Sequence, residues 1–143
     1  MSFQFKILEK EAIHSIIPLV QKLTQNKFSD AILKVRFSEM ITQNYECAVI
    51  MKGTELIGVS GIWYCTRHYS GKSAELDHVY IDDGYRGQGL GKQFLKWIYE
   101  YLRSKDCESA ELNTYVQNYP SHKFYYNEGF EIYGYHFFKK LAE

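Results

Sequence analysis

The chain opens on alternation: "FQFKIL" sets apolar residues two apart and reads as a first strand. From Glu11 to Leu23 the period lengthens. Ile13, Ile16, Ile17, Val20 and Leu23 fall at helical spacing, with Pro18 placed to kink or split the helix. Asn26 to Ser29 reads as a loop, and Ser29 caps a second helix running to about Thr42, with Ile32, Leu33, Val35 and Phe37 as its apolar positions. "CAVIMKGTELIGVSGIWYC" reads as two strands joined by a turn at Lys52-Gly53-Thr54. "HYSGKS" is a second turn, and Ala74 to Ile81 a fourth strand. A helix to about Ser104 follows, apolar along Leu90, Phe94, Trp97, Ile98, Tyr101 and Leu102. "SAELNTYV" is a fifth strand. Asn118 to Glu128 is a short helix with Pro120 in its first turn and Gly129 at its end. "FEIYGYHFFKKL" closes the pattern as two strands bent at Gly134. The order β-α-α-β-β-β-α-β-α-β-β predicts an α/β fold: a mixed, mostly antiparallel sheet of six to seven strands, with about four helices on both faces.

Composition narrows the function classes. A chain of 143 residues, 45% hydrophobic, is expected to form one domain across residues 1–143. Lys+Arg and Asp+Glu balance at 17 each, so bulk charge does not drive nucleic-acid binding, and no nucleic-acid partner is expected. The apolar runs are too short to span a membrane and the first residues lack a signal-peptide pattern, so no membrane partner is expected either. Cys47, Cys65 and Cys107 are too widely spaced for a zinc pattern or a disulfide framework, which fits a reducing cytoplasm. His14, His68 and His136 have no metal-site spacing, and no metal is expected.

The stretch "YIDDGYRGQGLGKQ" is where chemistry enters. A Walker loop would need Gly at position 86 and Ser or Thr at position 93, where Arg86 and Gln93 stand. The dinucleotide fingerprint fails as well, because Lys92 and Phe94 occupy the places of its third glycine. What remains is Arg86-x-x-Gly89-x-Gly91 between a strand and a helix. The first amides of a helix lack internal partners, the helix dipole adds partial positive charge, and glycines let an anion approach the bare backbone. The other reading is a turn whose glycines let the helix pack closely on the sheet.

These residues resemble the GNAT superfamily of acyl-coenzyme A-dependent N-acetyltransferases. Arg86-Gly87-Gln88-Gly89-Leu90-Gly91 is similar to its pyrophosphate loop, Q/R-x-x-G-x-G/A, and the preceding "VYI" to the end of its fourth strand. "NYPSHKFYYNEGF" resembles a second signature, with Asn118, Ser121, Tyr125, Gly129 and Phe130 at matching steps. The resemblance spans nearly the whole chain. Asp83 departs from a common proline and Ser121 from a frequent alanine.

The resemblance implies acetyl-coenzyme A as co-substrate. Its pyrophosphate would meet Arg86, Gly87, Gln88, Gly89, Leu90, Gly91 and Lys92, with Asn118 and Tyr125 as further contacts. Its pantetheine arm would run along Val79, Tyr80 and Ile81, with the Ile81 N–H as an oxyanion donor. Tyr125 would protonate the leaving thiolate, or else be one ring of a packed aromatic cluster; Asn118 would contact the coenzyme, cap its helix, or both. A base must first neutralise the acceptor ammonium. Glu75 is the first candidate, with Asp77 and His78 as alternatives, and His122 more simply explained on a solvated face. Strict alternation puts Glu75, Asp77, Val79 and Ile81 on one face and His78 and Tyr80 on the other, unless a bulge intervenes. Phe28, Trp63, Tyr64, Arg67, His68 and Tyr69 would wall the acceptor pocket, together with Asp77 and His78. Aromatic and acidic groups there suit a cationic amine, whereas Arg67 and His68 would suit an anionic substituent. The closing stretch "SHKFYYNEGFEIYGYHFFKKL" is similar to the ending of small-amine acetyltransferases, including those acting on aminoalkylphosphonates. The expected partner is therefore a small-molecule amine, ahead of a protein amine. A non-catalytic module that holds acyl-coenzyme A is the rival class. The resemblance allows a homodimer, since many relatives are dimers, although no feature of the sequence shows one.

Overall fold

A computed structural model describes residues 2–142. The chain divides into two compact units that meet between Glu111 and Leu112. The first holds β1 (Gln4–Ile7), a 3-10 segment (Lys10–Ile16), α1 (Ile17–Thr24), α2 (Asp30–Met40), β2 (Tyr45–Lys52), β3 (Glu55–Arg67), β4 (Gly71–Ile81), a short 3-10 turn (Asp83–Tyr85) and α3 (Leu90–Ser104). The boundary falls before the last residue of β5 (Ser109–Leu112), and α4 (Tyr119–Asn127) belongs to the second unit.

One sheet runs in chain order, β1-β2-β3-β4-β5, and its first three pairings are antiparallel. Pro18 stands in the first turn of α1, where its missing N–H costs no helical bond. The predicted first helix is accordingly split into a 3-10 segment and a true helix. The Ser29 hydroxyl accepts the Ile32 N–H at 3.2 Å and starts α2. Only Leu33 and Phe37 of that helix are buried, whereas Ile32 and Val35 face solvent. α1 and α2 pack with Tyr45, Cys47, Val49 and Val59 in one core. α3 covers the opposite face: Phe94 meets Phe5 at 5.8 Å between ring centres. The Glu46 carboxylate accepts hydrogen bonds from Tyr64 (2.6 Å) and Tyr101 (2.8 Å) on that side.

Two expectations need correction. β5 covers four residues and not the eight of "SAELNTYV". Residues 130–142 form no strands, so the sheet has five strands and not six or seven. Ile132, Tyr133, Tyr135, Phe137, Phe138 and Leu141 are instead exposed. Alternation reports that a segment suits a pleated surface, but a strand exists only where a neighbouring backbone completes its ladder.

The register of β3 and β4 slips at one place. Gly61 pairs with Asp77, but Val59 pairs with Tyr80, so β4 carries an extra residue at His78–Val79. His78 takes a left-handed φ of 38°, unusual for a residue with a Cβ. Four contacts hold it there. The Asp77 carboxylate accepts the His78 N–H at 2.8 Å. The Tyr45 hydroxyl, kept protonated because burial pushes its pKa up, shares a hydrogen bond with His78 Nε2 at 2.7 Å. The imidazole lies over Gly61, where a Cβ would collide with it, and meets the Phe37 ring edge-on at 5.5 Å. Burial, opposed by the Asp77 carboxylate, lowers the His78 pKa and keeps the ring neutral near pH 7.

The bulge corrects the strict alternation. His78 and Tyr80 join the α1/α2 face with Glu75 and Asp77, and Val79 does not. Gly61→Ala is expected to cost about 1–3 kcal/mol in urea unfolding, as overpacking does. Most of that penalty should vanish in a His78→Gly background, because the methyl then has room. Additive penalties in the double mutant would show that the imidazole and the Gly61 backbone do not compete for one space.

Candidate active site

β4 leads directly into the glycine loop. The Asp82 carboxylate accepts the Asp83 N–H at 3.0 Å and pairs with Lys22 at 3.0 Å, which fixes the corner. Arg86 faces back toward the strand: Nε donates to the Ile81 carbonyl at 2.9 Å, Nη1 meets Asp83 at 3.0 Å, and the guanidinium lies 4.9 Å from the Tyr80 ring centre. Arg86 therefore braces the loop. Gly87 and Gly89 take left-handed φ values of 77° and 72°, which only glycine adopts cheaply. No atom lies within 4 Å of where their Cβ atoms would be, so their glycines serve backbone shape and open approach, not close helix packing. Gly89 is the N-cap of α3 and has no side chain to satisfy the helix amides. Residues 86–89 are exposed, leaving the helix start open to an anion.

The second cluster lies on the α1/α2 face of β3 and β4. A cavity of about 300 Å³ is lined by Trp63, Tyr64, Cys65, Arg67, Ser73, Glu75 and Glu111. Trp63 and Glu75 are register partners, which brings indole and carboxylate side by side. The Glu75 carboxylate makes no hydrogen bond or ion pair with other described residues. Asp77, by contrast, is occupied: Trp63 Nε1 donates to its Oδ2 at 3.2 Å, and its Oδ1 holds the His78 N–H. Glu111 is occupied too. Tyr69 Oη (2.9 Å) and Ser73 Oγ (2.8 Å) donate to its two oxygens, and Arg67 Nη1 lies 3.3 and 3.2 Å from them. The Tyr64 hydroxyl is turned to Glu46. Phe28 does not line this cavity; its ring receives Arg36 at 5.0 Å and Lys27 at 5.5 Å. His68 packs edge-on against the Tyr69 ring at 5.4 Å and is not a lining residue either.

In the second unit, the Asn118 side chain accepts the Ser121 N–H at 3.4 Å and caps α4. Tyr125 packs against Phe124 (5.3 Å) and Phe130 (5.7 Å), and burial raises its pKa, so its hydroxyl stays protonated. That hydroxyl has no hydrogen-bond partner among the described residues. Sequence reasoning missed Tyr45, Gly61, Ser73 and Glu111. A glycine inside a strand is a signal for a close approach, and Gly61 carried it; nothing in the spacing marked the other three.

The Acetyltransferase (GNAT) family model matches residues 13–130. The aminoalkylphosphonate N-acetyltransferase of Salmonella typhimurium is 24% identical over 92% of this chain and 86% of its own length. A putative [ribosomal protein bS18]-alanine N-acetyltransferase of Bacillus subtilis is 26% identical over 78% of this chain and 72% of its own. Among solved structures, AAC(6')-Iy in complex with the bisubstrate analog CoA-S-monomethyl-acetylneamine shares the fold with a TM-score of 0.80 and 17% identity, covering 99% of both chains. With a family match over most of its length, the open glycine loop after β4 and the matching fold, the chain belongs to the GNAT acetyltransferase family and is an acyltransferase.

Proposed function

We propose that this chain, acting as one acetyltransferase domain, moves an acetyl group from acetyl-coenzyme A to a primary amine of a small molecule, by direct attack in a ternary complex. The observation that carries the reading is the exposed α3 start, with Gly87 and Gly89 in left-handed conformations and open space around both. A diphosphate would be held there by the amides from about Gln88 to Lys92, as the dipole and the unpaired N–H groups favour. Arg86, tied to Ile81 and Asp83, shapes the loop beside these amides. A relative of the same fold holds a coenzyme A bisubstrate analog, which supports this choice of co-substrate.

The pantetheine arm would follow β4 near Val79 to Ile81. β5 has four residues against eleven in β4 and is tied to the Lys72–Ser73 end, so the Ile81 end of β4 runs past it. Glu75, the carboxylate without a partner, takes the ammonium proton. The amine nitrogen then bonds to the acetyl carbon, the carbon–sulfur bond breaks, and the Tyr125 hydroxyl protonates the thiolate. Proximity supplies much of the rate, and no covalent enzyme intermediate forms. The similarity to an enzyme for aminoalkylphosphonates favours a small acceptor. A protein α-amine is the second reading, favoured by the bS18-alanine relative.

Thermal shift with acetyl-coenzyme A and thiol release over an amine panel test the assignment. Stabilisation by acetyl-coenzyme A together with thiol release from a small amine is expected. Stabilisation with no release from small amines or from an alanine-terminated peptide would identify a binding module. Gly89→Asp should raise the KM for acetyl-coenzyme A about tenfold, by placing a carboxylate against the diphosphate. Tyr125→Phe and Glu75→Gln should each lower kcat about a hundredfold, with KM for acetyl-coenzyme A within about twofold of wild type. Unchanged kcat in either would remove that residue from its role.

A further inference from the structure

We infer that Glu111 sets the charge of the acceptor: by occupying Arg67, it makes the pocket select cationic amines and reject amines that carry an anionic group. The inference rests on the acetyltransferase reading above and names the substrate class of its acceptor site. The cavity wall holds three charged side chains, Arg67, Glu75 and Glu111. Glu111 takes Arg67 Nη1 at 3.2 Å, Tyr69 Oη at 2.9 Å and Ser73 Oγ at 2.8 Å, so both its oxygens are engaged. Ser73 is fully buried and fixes one oxygen from beneath the strand surface. Arg67 is the cation that would otherwise bind a phosphonate or carboxylate, and the Glu111 carboxylate at its Nη1 neutralises that charge. The charge left over is the negative Glu75, beside the Trp63 indole. A carboxylate and an aromatic wall together receive an ammonium and repel an anion.

Three amines of similar length separate the alternatives: ethylenediamine, ethylamine and aminomethylphosphonate. Wild-type kcat/KM should fall in that order, with about tenfold or more between the first and last. Glu111→Gln keeps the shape of the side chain and its contacts to Ser73 and Tyr69, but frees the guanidinium. It should narrow or reverse the preference by about tenfold, and adding Arg67→Gln should cancel the gain for the phosphonate. Isothermal titration of the same amines into the coenzyme A-loaded protein reads the same order without turnover. If no amine releases thiol, the acetyltransferase reading falls, and the binding order still decides the charge preference. Wild type that takes aminomethylphosphonate as well as ethylenediamine, a ratio unmoved by Glu111→Gln, or failure to bind any of the three overturns the inference.

Discussion

The one-residue slip of β4 against β3 governs what the α1/α2 face of the sheet presents. A strand in register would show Val79 and Ile81 beside Glu75 and Asp77. The bulge presents His78 and Tyr80 instead. Holding it requires a left-handed residue with a side chain, a conformation that costs of order 1–3 kcal/mol unless surroundings compensate. The compensation is local. The Tyr45 hydroxyl and the Asp77 carboxylate bind the two ends of His78, and Gly61 withholds the atom that would push the ring away. Downstream, Tyr80 stacks under Arg86, and Arg86 grips Ile81 and Asp83. The shape of the glycine loop thus begins inside the sheet.

Charge on this face is allotted by hydrogen bonding more than by residue count. Asp77 and Glu111 are both acids near the cavity, yet each has its oxygens engaged by neighbouring donors. Glu75 alone of the three has none, and a free carboxylate is what proton transfer to a base requires. Tyr125 is the complementary case in the second unit, a hydroxyl that burial keeps protonated.

Much of this was legible in the sequence, and the limits have physical reasons. The glycine loop, the N-cap at Ser29, the proline in the first turn of α1 and the Asn118 cap were readable because each depends on residues within a few positions. Glu75 and Trp63 could be named as neighbours of the site, and the sheet makes them register partners. The Tyr45–His78 and Ser73–Glu111 pairs were not readable, because they join residues 33 and 38 positions apart through a sheet whose register no local pattern encodes. The sequence alone offers Arg67 as an anion receptor, and the fold pairs it with a carboxylate 44 residues away. The closing segment failed in the opposite direction. Its alternation was strong, but strand formation belongs to a pair of segments and not to one.

The seating of the His78 ring over Gly61 also bears on how this protein can drift. Positions 45, 61 and 78 form one geometric unit, so a side chain larger than hydrogen at 61 and an imidazole at 78 compete for the same space. Among descendants of this sequence, the three should be inherited or replaced together. A library that randomises position 61 alone should return glycine, whereas one that randomises 61 with 78 should recover other pairs.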